Sequence, residues 1–218
     1  MATTRPYLST SATSLVTMVV LLAGVVAAFA GIAYWINGLT QAHAYVTVPV
    51  QVDPGLASHW AQPDPGNDVL RLPAAGLPSG VSLQVEPGDV TLSAWDSTLV
   101  EQALARAGYV VLGLGCLLVA LLLRPVLTGL ERGDPFSPGN ARRISLVAVT
   151  IAAVALAVPT LNAIAAAEVI RRLGLDPDTV TWHWSLDLAP LLVACLVLAV
   201  AESFRRGEQL RDDVEGLV

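Results

Sequence analysis

Four long apolar blocks constrain the fold of this chain more than any other feature. They run from Ser14 to Ile36, from Ala107 to Leu123 with an extension toward Leu130, from Ile144 to Ile170, and from Leu186 to Phe204. A helix of about 20 apolar residues, with a range of roughly 17–25, crosses the hydrocarbon core of a bilayer. The sequence therefore predicts a membrane all-α bundle of four transmembrane helices.

The composition agrees with a chain whose solvent is largely lipid. Only 14% of the 218 residues are charged and 54% are hydrophobic, whereas soluble domains carry about 25% charged residues. The net charge of −6 argues against a nucleic-acid partner, because binding to phosphates needs a basic surface. We expect the lipid bilayer to be the main partner and expect no nucleic acid.

The first block has an alternative interpretation as a cleaved signal peptide. Arg5 supplies a weak basic region before it, and the run from Ala28 to Ala30 resembles a cleavage site of small residues. The apolar run continues to Ile36, which is longer than the usual core of a signal peptide. A retained first helix is favoured, and cleavage stays open.

Arginine distribution predicts the orientation, because positive charge accumulates on the inner side of a membrane. With the N-terminus inside, eight arginines lie inside and four lie outside. The four outer ones are Arg71, Arg106, Arg171 and Arg172. Glu168 precedes Arg172 by four residues, so a helical salt bridge could offset part of this mismatch. We expect both termini to be cytoplasmic.

The segment between the first two blocks predicts a small antiparallel sheet. Short alternating runs at 45–52, 81–85 and 90–92 are typical of strands, and Pro- and Gly-rich turns separate them. Pro49 places the first run at an edge or a bulge, because proline cannot donate a ladder hydrogen bond. About 60 residues are marginal for an independent fold, so we expect this β-rich insertion to lean on the helices, on lipid or on another subunit.

These features divide the chain into four parts. Residues 1–39 hold the N-terminal tail and helix 1, and residues 40–104 form the extracytoplasmic β-rich domain. Residues 105–204 hold helices 2–4 with a cytoplasmic loop at 124–143, and residues 205–218 form the cytoplasmic C-terminal tail.

No catalytic, metal or cofactor site is predicted. A metal or ligand site in the β-rich domain could in principle be formed by His43, His59 and Trp60 with Asp53, Asp64 and Asp68. Their spacing matches no template, and solvated polar residues are the favoured interpretation. Cys116 and Cys195 lie inside apolar blocks, where cysteine behaves as a small hydrophobe. We expect no cofactor.

The third block contains a possible functional kink at Pro159 and Asn162. Proline removes a backbone hydrogen bond and bends a helix, and a polar kink could line a cavity in an oligomer. Hydrogen bonding across helices is the favoured alternative. Glycines and alanines recur through the blocks, Gly24, Ala28, Gly108, Gly113 and Gly115 among them, and permit close helix packing.

Two charged segments flank the last two blocks. The first reads Gly-Asp-Pro-Phe-Ser-Pro-Gly-Asn-Ala-Arg-Arg-Ile from Gly133 to Ile144, where Ser137 suits an N-cap and Pro138 a first helical position. Phe136 could anchor in the membrane interface. The second is the tail, Phe-Arg-Arg-Gly-Glu-Gln-Leu-Arg-Asp-Asp-Val-Glu-Gly-Leu-Val, from Phe204 to Val218, which continues the last helix into water.

Together these two motifs resemble a bacterial membrane family described as domain of unknown function 2975 (DUF2975). The motif residues are Gly133, Asp134, Pro135, Phe136, Ser137, Pro138, Asn140 and Arg143 in the loop, and Glu202, Phe204, Gly207, Leu210, Asp212 and Asp213 in the tail. The resemblance implies a four-helix multi-pass protein of the bacterial inner (plasma) membrane. It implies no activity.

Three functional classes remain to be compared. An enzyme is not expected, because the apolar blocks hold no titratable pair or nucleophile with a base. A small oligomeric transporter or channel subunit is the alternative, although four helices are few and no inverted repeat is evident. We favour a membrane-anchored interaction, signalling or accessory protein, with a second copy or another membrane protein as its partner.

Overall fold

The structure is a computed structural model that describes residues 10–41, 43–52, 62–63, 70–72, 80–86, 89–132, 134, 136–176 and 178–215. Four helices dominate these residues. They are α1 (Thr10–Leu39), α2 (Leu99–Glu131), α3 (Asn140–Leu173) and α4 (Leu188–Glu215). Each is long and apolar enough to cross a membrane, as the four apolar blocks predict.

All four helices extend beyond the apolar blocks drawn from the sequence. Helix α2 begins at Leu99 rather than near residue 105, and it continues through Pro125 to Glu131. Residues 124–131 are thus helical, in agreement with the extension of the second block toward Leu130, although the division into parts placed them in the loop at 124–143. Helix α4 runs on to Glu215, so the described part of the tail continues it, as expected. Asp187 accepts a hydrogen bond from the Ala189 N–H at 2.9 Å, in the manner of an N-cap.

The start of α3 differs from the prediction. Ser137 and Pro138 are not the N-cap and first helical residue; they form a turn, and the helix begins at Asn140. Gly139 precedes it with a φ of 89°, a left-handed conformation that glycine adopts without steric cost. Its carbonyl accepts the Arg143 N–H at 3.1 Å, so Gly139 stands at the N-cap position.

The β-strands form one antiparallel sheet of six strands. They are β1 (Val46–Val52), β2 (Gln62–Pro63), β3 (Leu70–Leu72), β4 (Val81–Glu86), β5 (Asp89–Ala94) and β6 (Val180–Trp182). Their order is β2-β3-β4-β5-β1-β6. The antiparallel sheet between the first two helices is therefore confirmed. The short strands β2 and β3 were not predicted from the sequence, nor was the edge strand β6, which comes from the connection between α3 and α4.

Strand β1 shows why Pro49 is tolerated inside the sheet. Its register with β5 pairs Pro49 with Thr91, while β6 pairs only with residues 50–52. Among the described residues, Pro49 thus lies on a part of β1 that pairs with β5 alone. The strand as a whole lies between β5 and β6, so the prediction that Pro49 places this run at an edge is wrong.

One face of the sheet packs against helix α3. Val46, Val48, Val50 and Val52 alternate inward along β1, and Leu83 and Leu92 are fully buried. These side chains form one cluster with others from α3 and β6, namely Ala165, Ala166, Val169, Ile170 and Val180. The sheet therefore builds its core with helical residues, as its small size required.

The chain divides into two compact units. The sheet unit comprises residues 32–110 and 156–186, and the loop–tail unit comprises residues 1–31, 111–155 and 187–218. Within the loop–tail unit, α1 and α2 approach closely at glycines. A Cβ added at Gly113 would lie 2.5 Å from the carbonyl oxygen of Ala27, and one at Gly24 would lie 2.8 Å from Cβ of Ala120. The small residues noted in the sequence thus mark a helix contact.

Candidate functional site

The loop and tail motifs meet in the loop–tail unit. The Phe136 ring packs on the Phe204 ring of α4, with 5.5 Å between the ring centroids. Gly207, one turn further along α4, lies directly against the Phe136 ring, because a Cβ there would overlap its edge carbons. Phe136 is 39% exposed and is held by α4. Its expected role as a membrane-interface anchor remains untested.

A charged residue of the tail completes the start of α3. Glu208 accepts a hydrogen bond from the Ala141 N–H through Oε1 at 3.0 Å. The first N–H groups of a helix have no partner within the helix, and a carboxylate at this end is also favoured by the helix dipole. Glu208 therefore acts as a cap supplied from a different helix, which ties the tail to the loop.

Asn140 and Arg143 form the polar interior of this junction. Asn140 is fully buried, and its Oδ1 accepts a hydrogen bond from Nη1 of Arg143 at 3.0 Å. The backbone around it is also hydrogen-bonded, since the Asn140 N–H donates to the Ser137 carbonyl at 3.1 Å and the Asp134 N–H donates to the Gly129 carbonyl at 3.0 Å. Backbone hydrogen bonds thus hold the described residues of the short connection between α2 and α3.

A cationic cavity lies beside this junction. Its volume is about 580 Å³. Its lining includes Arg124 and Thr128 of α2, Arg132 directly after that helix, and Asp134, Ser137 and Arg143. Arg124 and Arg132 make no ion pair with any residue that the structure describes. The cavity therefore presents two arginines without an acidic partner in the described chain, next to the hydrogen-bonded Arg143.

Other motif residues do not join the junction. Glu202 pairs with Arg205 at 2.7 Å and with Arg206 at 3.0 Å on the surface of α4. Leu210 is 67% exposed, and Asp213 is also exposed. Gly133 and Pro135 lie outside the described residues, as does the side chain of Asp212, and Pro138 is exposed in the turn.

The predicted kink residues lie in the sheet unit, on a continuous α3. Pro159 lies inside α3, which continues on both sides of it. Thr160 donates to the Leu156 carbonyl at 2.7 Å, and it accepts a hydrogen bond from the Trp184 indole at 3.3 Å. Asn162 is half-buried, and its Oδ1 faces Gly108 of α2.

The sequence analysis missed a buried polar cluster at the start of α2. Thr98 and Glu101 exchange hydrogen bonds, because Oε2 of Glu101 accepts the Thr98 N–H at 2.8 Å and Oγ1 of Thr98 accepts the Glu101 N–H at 3.2 Å. This capping box was readable from the spacing of Thr98 and Glu101. Gln102, also buried, donates to Ser97 Oγ at 2.7 Å and to the Tyr45 carbonyl at 2.9 Å.

Three of the four arginines assigned to the outer side have local partners in this unit, and the side chain of the fourth, Arg71, lies outside the described residues. Arg172 donates to the buried Glu101 at 2.6 Å, and Glu168 pairs with Arg171. The expected salt bridge between Glu168 and Arg172 is therefore absent from the described residues. Arg172 pairs instead with Glu101, the residue that caps α2, and Glu168 pairs with Arg171. Arg106 lies 5.2 Å from the centroid of the Tyr34 ring, in a cation–π contact.

No arrangement suited to a metal ion occurs in the described part of the chain. Groups of three or more His, Cys, Asp or Glu side chains close enough to share a metal ion are not found there. His43 instead contacts Asp96 at 2.6 Å on the surface, and Asp53 and His59 lie outside the described residues.

The fold and this junction define a class of protein: four helices long and apolar enough for membrane spans, with a small antiparallel sheet between the first two. The family model described as protein of unknown function DUF2975 matches residues 38–217, and the chain belongs to this family. The match includes both motif segments. No curated protein and no solved structure matches the chain.

Proposed function

We propose that this chain is a multi-pass protein of the cell membrane that acts by binding a partner membrane protein, in a signalling or accessory role, rather than by catalysis. Exposed apolar side chains support membrane embedding. Leu15, Met18, Phe29, Leu192 and Leu196 are each more than 60% exposed on their helices. Such surfaces are too apolar for water and suit lipid or a membrane partner.

The observation that carries the proposal is the meeting of the loop and the tail. The loop and the tail are far apart in the chain, yet two contacts join them. Phe136 of the loop packs on the Phe204 ring of α4, and Glu208 of the tail accepts the Ala141 N–H at the start of α3. A loop that served only to connect two helices would need no such support. An ordered junction of charged and apolar groups at the helix ends provides a rigid surface for another protein.

The tail carries the contact residue for that partner. Leu210 is a motif residue that exposes 67% of its surface on α4, beyond the junction. It contributes to no hydrophobic core cluster of the described chain. An exposed apolar side chain on an ordered helix is a typical anchor for a binding partner.

The test is a quantitative pull-down of the full-length protein from cross-linked membranes in mild detergent. We expect one membrane protein to be recovered in stoichiometric amount, and Leu210→Gln to lower its recovery at least fivefold. Gln209→Ala is the matched control, because Gln209 is its exposed neighbour and lies outside the motif. Equal recovery with both variants would contradict the proposal.

A second measurement separates this function from transport. Proteoliposomes that contain the purified protein should show no ion or solute flux that depends on Asn162, the half-buried polar residue of α3. A flux that is lost on Asn162→Leu would replace the interaction class with the transporter class.

A further inference from the structure

We propose that the cationic cavity of the loop–tail unit binds the phosphate group of an anionic phospholipid, with one acyl chain of that lipid along the adjoining groove between α1 and α2. This inference rests on the proposed membrane embedding. It concerns a different ligand and different residues from the partner contact at Leu210.

The cavity has the chemistry of a phosphate site. Arg124, Arg132 and Arg143 line it together with Thr128 and Ser137, and Asp134 is the only acidic side chain in its described lining. Arg143 donates one N–H to Asn140. The guanidinium groups of Arg124 and Arg132 have no acidic partner in the described chain. Guanidinium groups bind phosphate oxygens in a bidentate manner, and hydroxyls can add donors.

The adjoining groove indicates that the phosphate belongs to a lipid. This second cavity of about 470 Å³ shares Arg124 and Thr128 with the first one, and it continues along α1 over Met18, Leu22 and Val25. These three apolar side chains are 67%, 58% and 53% exposed. A free phosphate would use the arginines and leave the groove empty, whereas a phospholipid would fill both.

The position along the helices fits a headgroup. The arginines occur where α2 ends and α3 begins, and the groove follows the first turns of α1. Basic pockets between transmembrane helices at the cytoplasmic headgroup level bind anionic lipids. Glu131 also lines the groove, so the acyl chain is expected to pass on the Leu22 and Val25 side.

The experiment measures lipid retention by the full-length protein with native mass spectrometry and by thermal stabilisation in detergent. The probes are phosphatidylglycerol, phosphatidylcholine and inorganic phosphate. We expect phosphatidylglycerol to bind at least tenfold more tightly than phosphatidylcholine. Removing one charge with Arg124→Gln or Arg132→Gln should weaken the binding of phosphatidylglycerol about fivefold each.

Two matched controls come from neighbouring residues. Arg142→Gln removes the same charge from an exposed arginine outside the cavity, and it should leave retention unchanged. Val25→Trp should fill the groove and reduce lipid retention, whereas Val26→Trp, at an exposed position outside the groove, should not.

The outcomes separate the proposal from its alternatives. Equal retention of the two lipids by the unmodified protein would overturn it, even if the arginine variants failed to fold. Stabilisation by millimolar phosphate that equals the stabilisation by phosphatidylglycerol, with no effect of Val25→Trp, would indicate a soluble anion and also overturn it. A protein that washes off membranes in alkaline carbonate would instead refute the proposed embedding.

Discussion

At the residue scale, the pair of Glu101 and Arg172 is the most consequential contact in the sheet unit. The Glu101 side chain is 1% exposed and that of Arg172 is 24% exposed, and their charged atoms are 2.6 Å apart. Glu101 also caps α2 through the Thr98 N–H. A buried carboxylate is tolerated only when it is paired and hydrogen-bonded, so this single residue joins the ends of α2 and α3.

Removing one partner of this pair should strongly destabilise the protein. Because Arg172→Ala leaves the Glu101 carboxylate buried without its cation, we expect the free energy of unfolding to fall by about 3–5 kcal/mol. The change can be measured by denaturant unfolding in micelles, followed by tryptophan fluorescence. Arg171→Ala is the control, because its pair with Glu168 is exposed to solvent and should contribute little.

A variant that removes both charges then tests whether the unpaired buried charge causes this loss of stability. The double variant Glu101→Gln with Arg172→Leu should recover part of the stability lost in Arg172→Ala, since no charge then remains buried. If Arg171→Ala and Arg172→Ala lowered stability equally, the buried pair would not hold these helix ends together.

At the scale of secondary-structure elements, the contact between α1 and α2 depends on missing side chains. A Cβ at Gly113 would lie 2.5 Å from the Ala27 carbonyl oxygen and 3.0 Å from the Ala28 Cα. Both neighbours are backbone atoms that cannot rotate away. Where lipid surrounds the helices, close packing replaces the hydrophobic effect as the force that joins them, so the glycines at this contact determine how near the helices can come.

The substitution Gly113→Ala should therefore separate α1 from α2. We expect a lower midpoint of thermal unfolding in detergent, because overpacking costs typically about 1–3 kcal/mol. Gly108→Ala is the matched control on the same helix, where the added Cβ would lie 3.4 Å from a methyl group of Val158, an ordinary contact. Helix propensity alone favours alanine over glycine at both positions. An equal gain in stability for Gly113→Ala and Gly108→Ala would therefore contradict the close contact between α1 and α2 at Gly113.

At the scale of the whole molecule, the arginine distribution and the four apolar helices lead to one arrangement across the membrane. The four helices end on alternate sides if each crosses the bilayer once. From the excess of arginines near residues 124–143 and 205–211, we predict that the sheet faces outward and that the loop and the tail face the cytoplasm.

Cysteine labelling tests this arrangement. In a background with Cys116→Ala and Cys195→Ala, a cysteine introduced by Gln51→Cys should react with a membrane-impermeant maleimide on intact cells, and one introduced by Gln209→Cys should react only after permeabilisation. Both glutamines are exposed, so the two variants are matched. Reversed labelling would invert the topology, and labelling of both on intact cells would rule out the arrangement.

Local patterns in the sequence determined the four helices and the longer strands of this protein. Runs of apolar residues indicated four helices, alternation along residues 46–52 indicated β1, and the loop and tail motifs indicated the family. These features could be predicted because each depends on neighbours within one or two turns of chain. The capping box of Thr98 and Glu101 belongs to the same class, although it was overlooked.

Only the tertiary structure decided which distant groups meet. Arg172 could have paired within its own helix, yet it reaches Glu101, and Glu208 caps a helix by accepting an N–H from a residue 67 positions earlier in the chain. The pairing of β6 with β1 and the cavity around Arg124 arise in the same way. Such contacts depend on how helices and strands pack in space. The local sequence around a residue does not predict which distant residue it contacts.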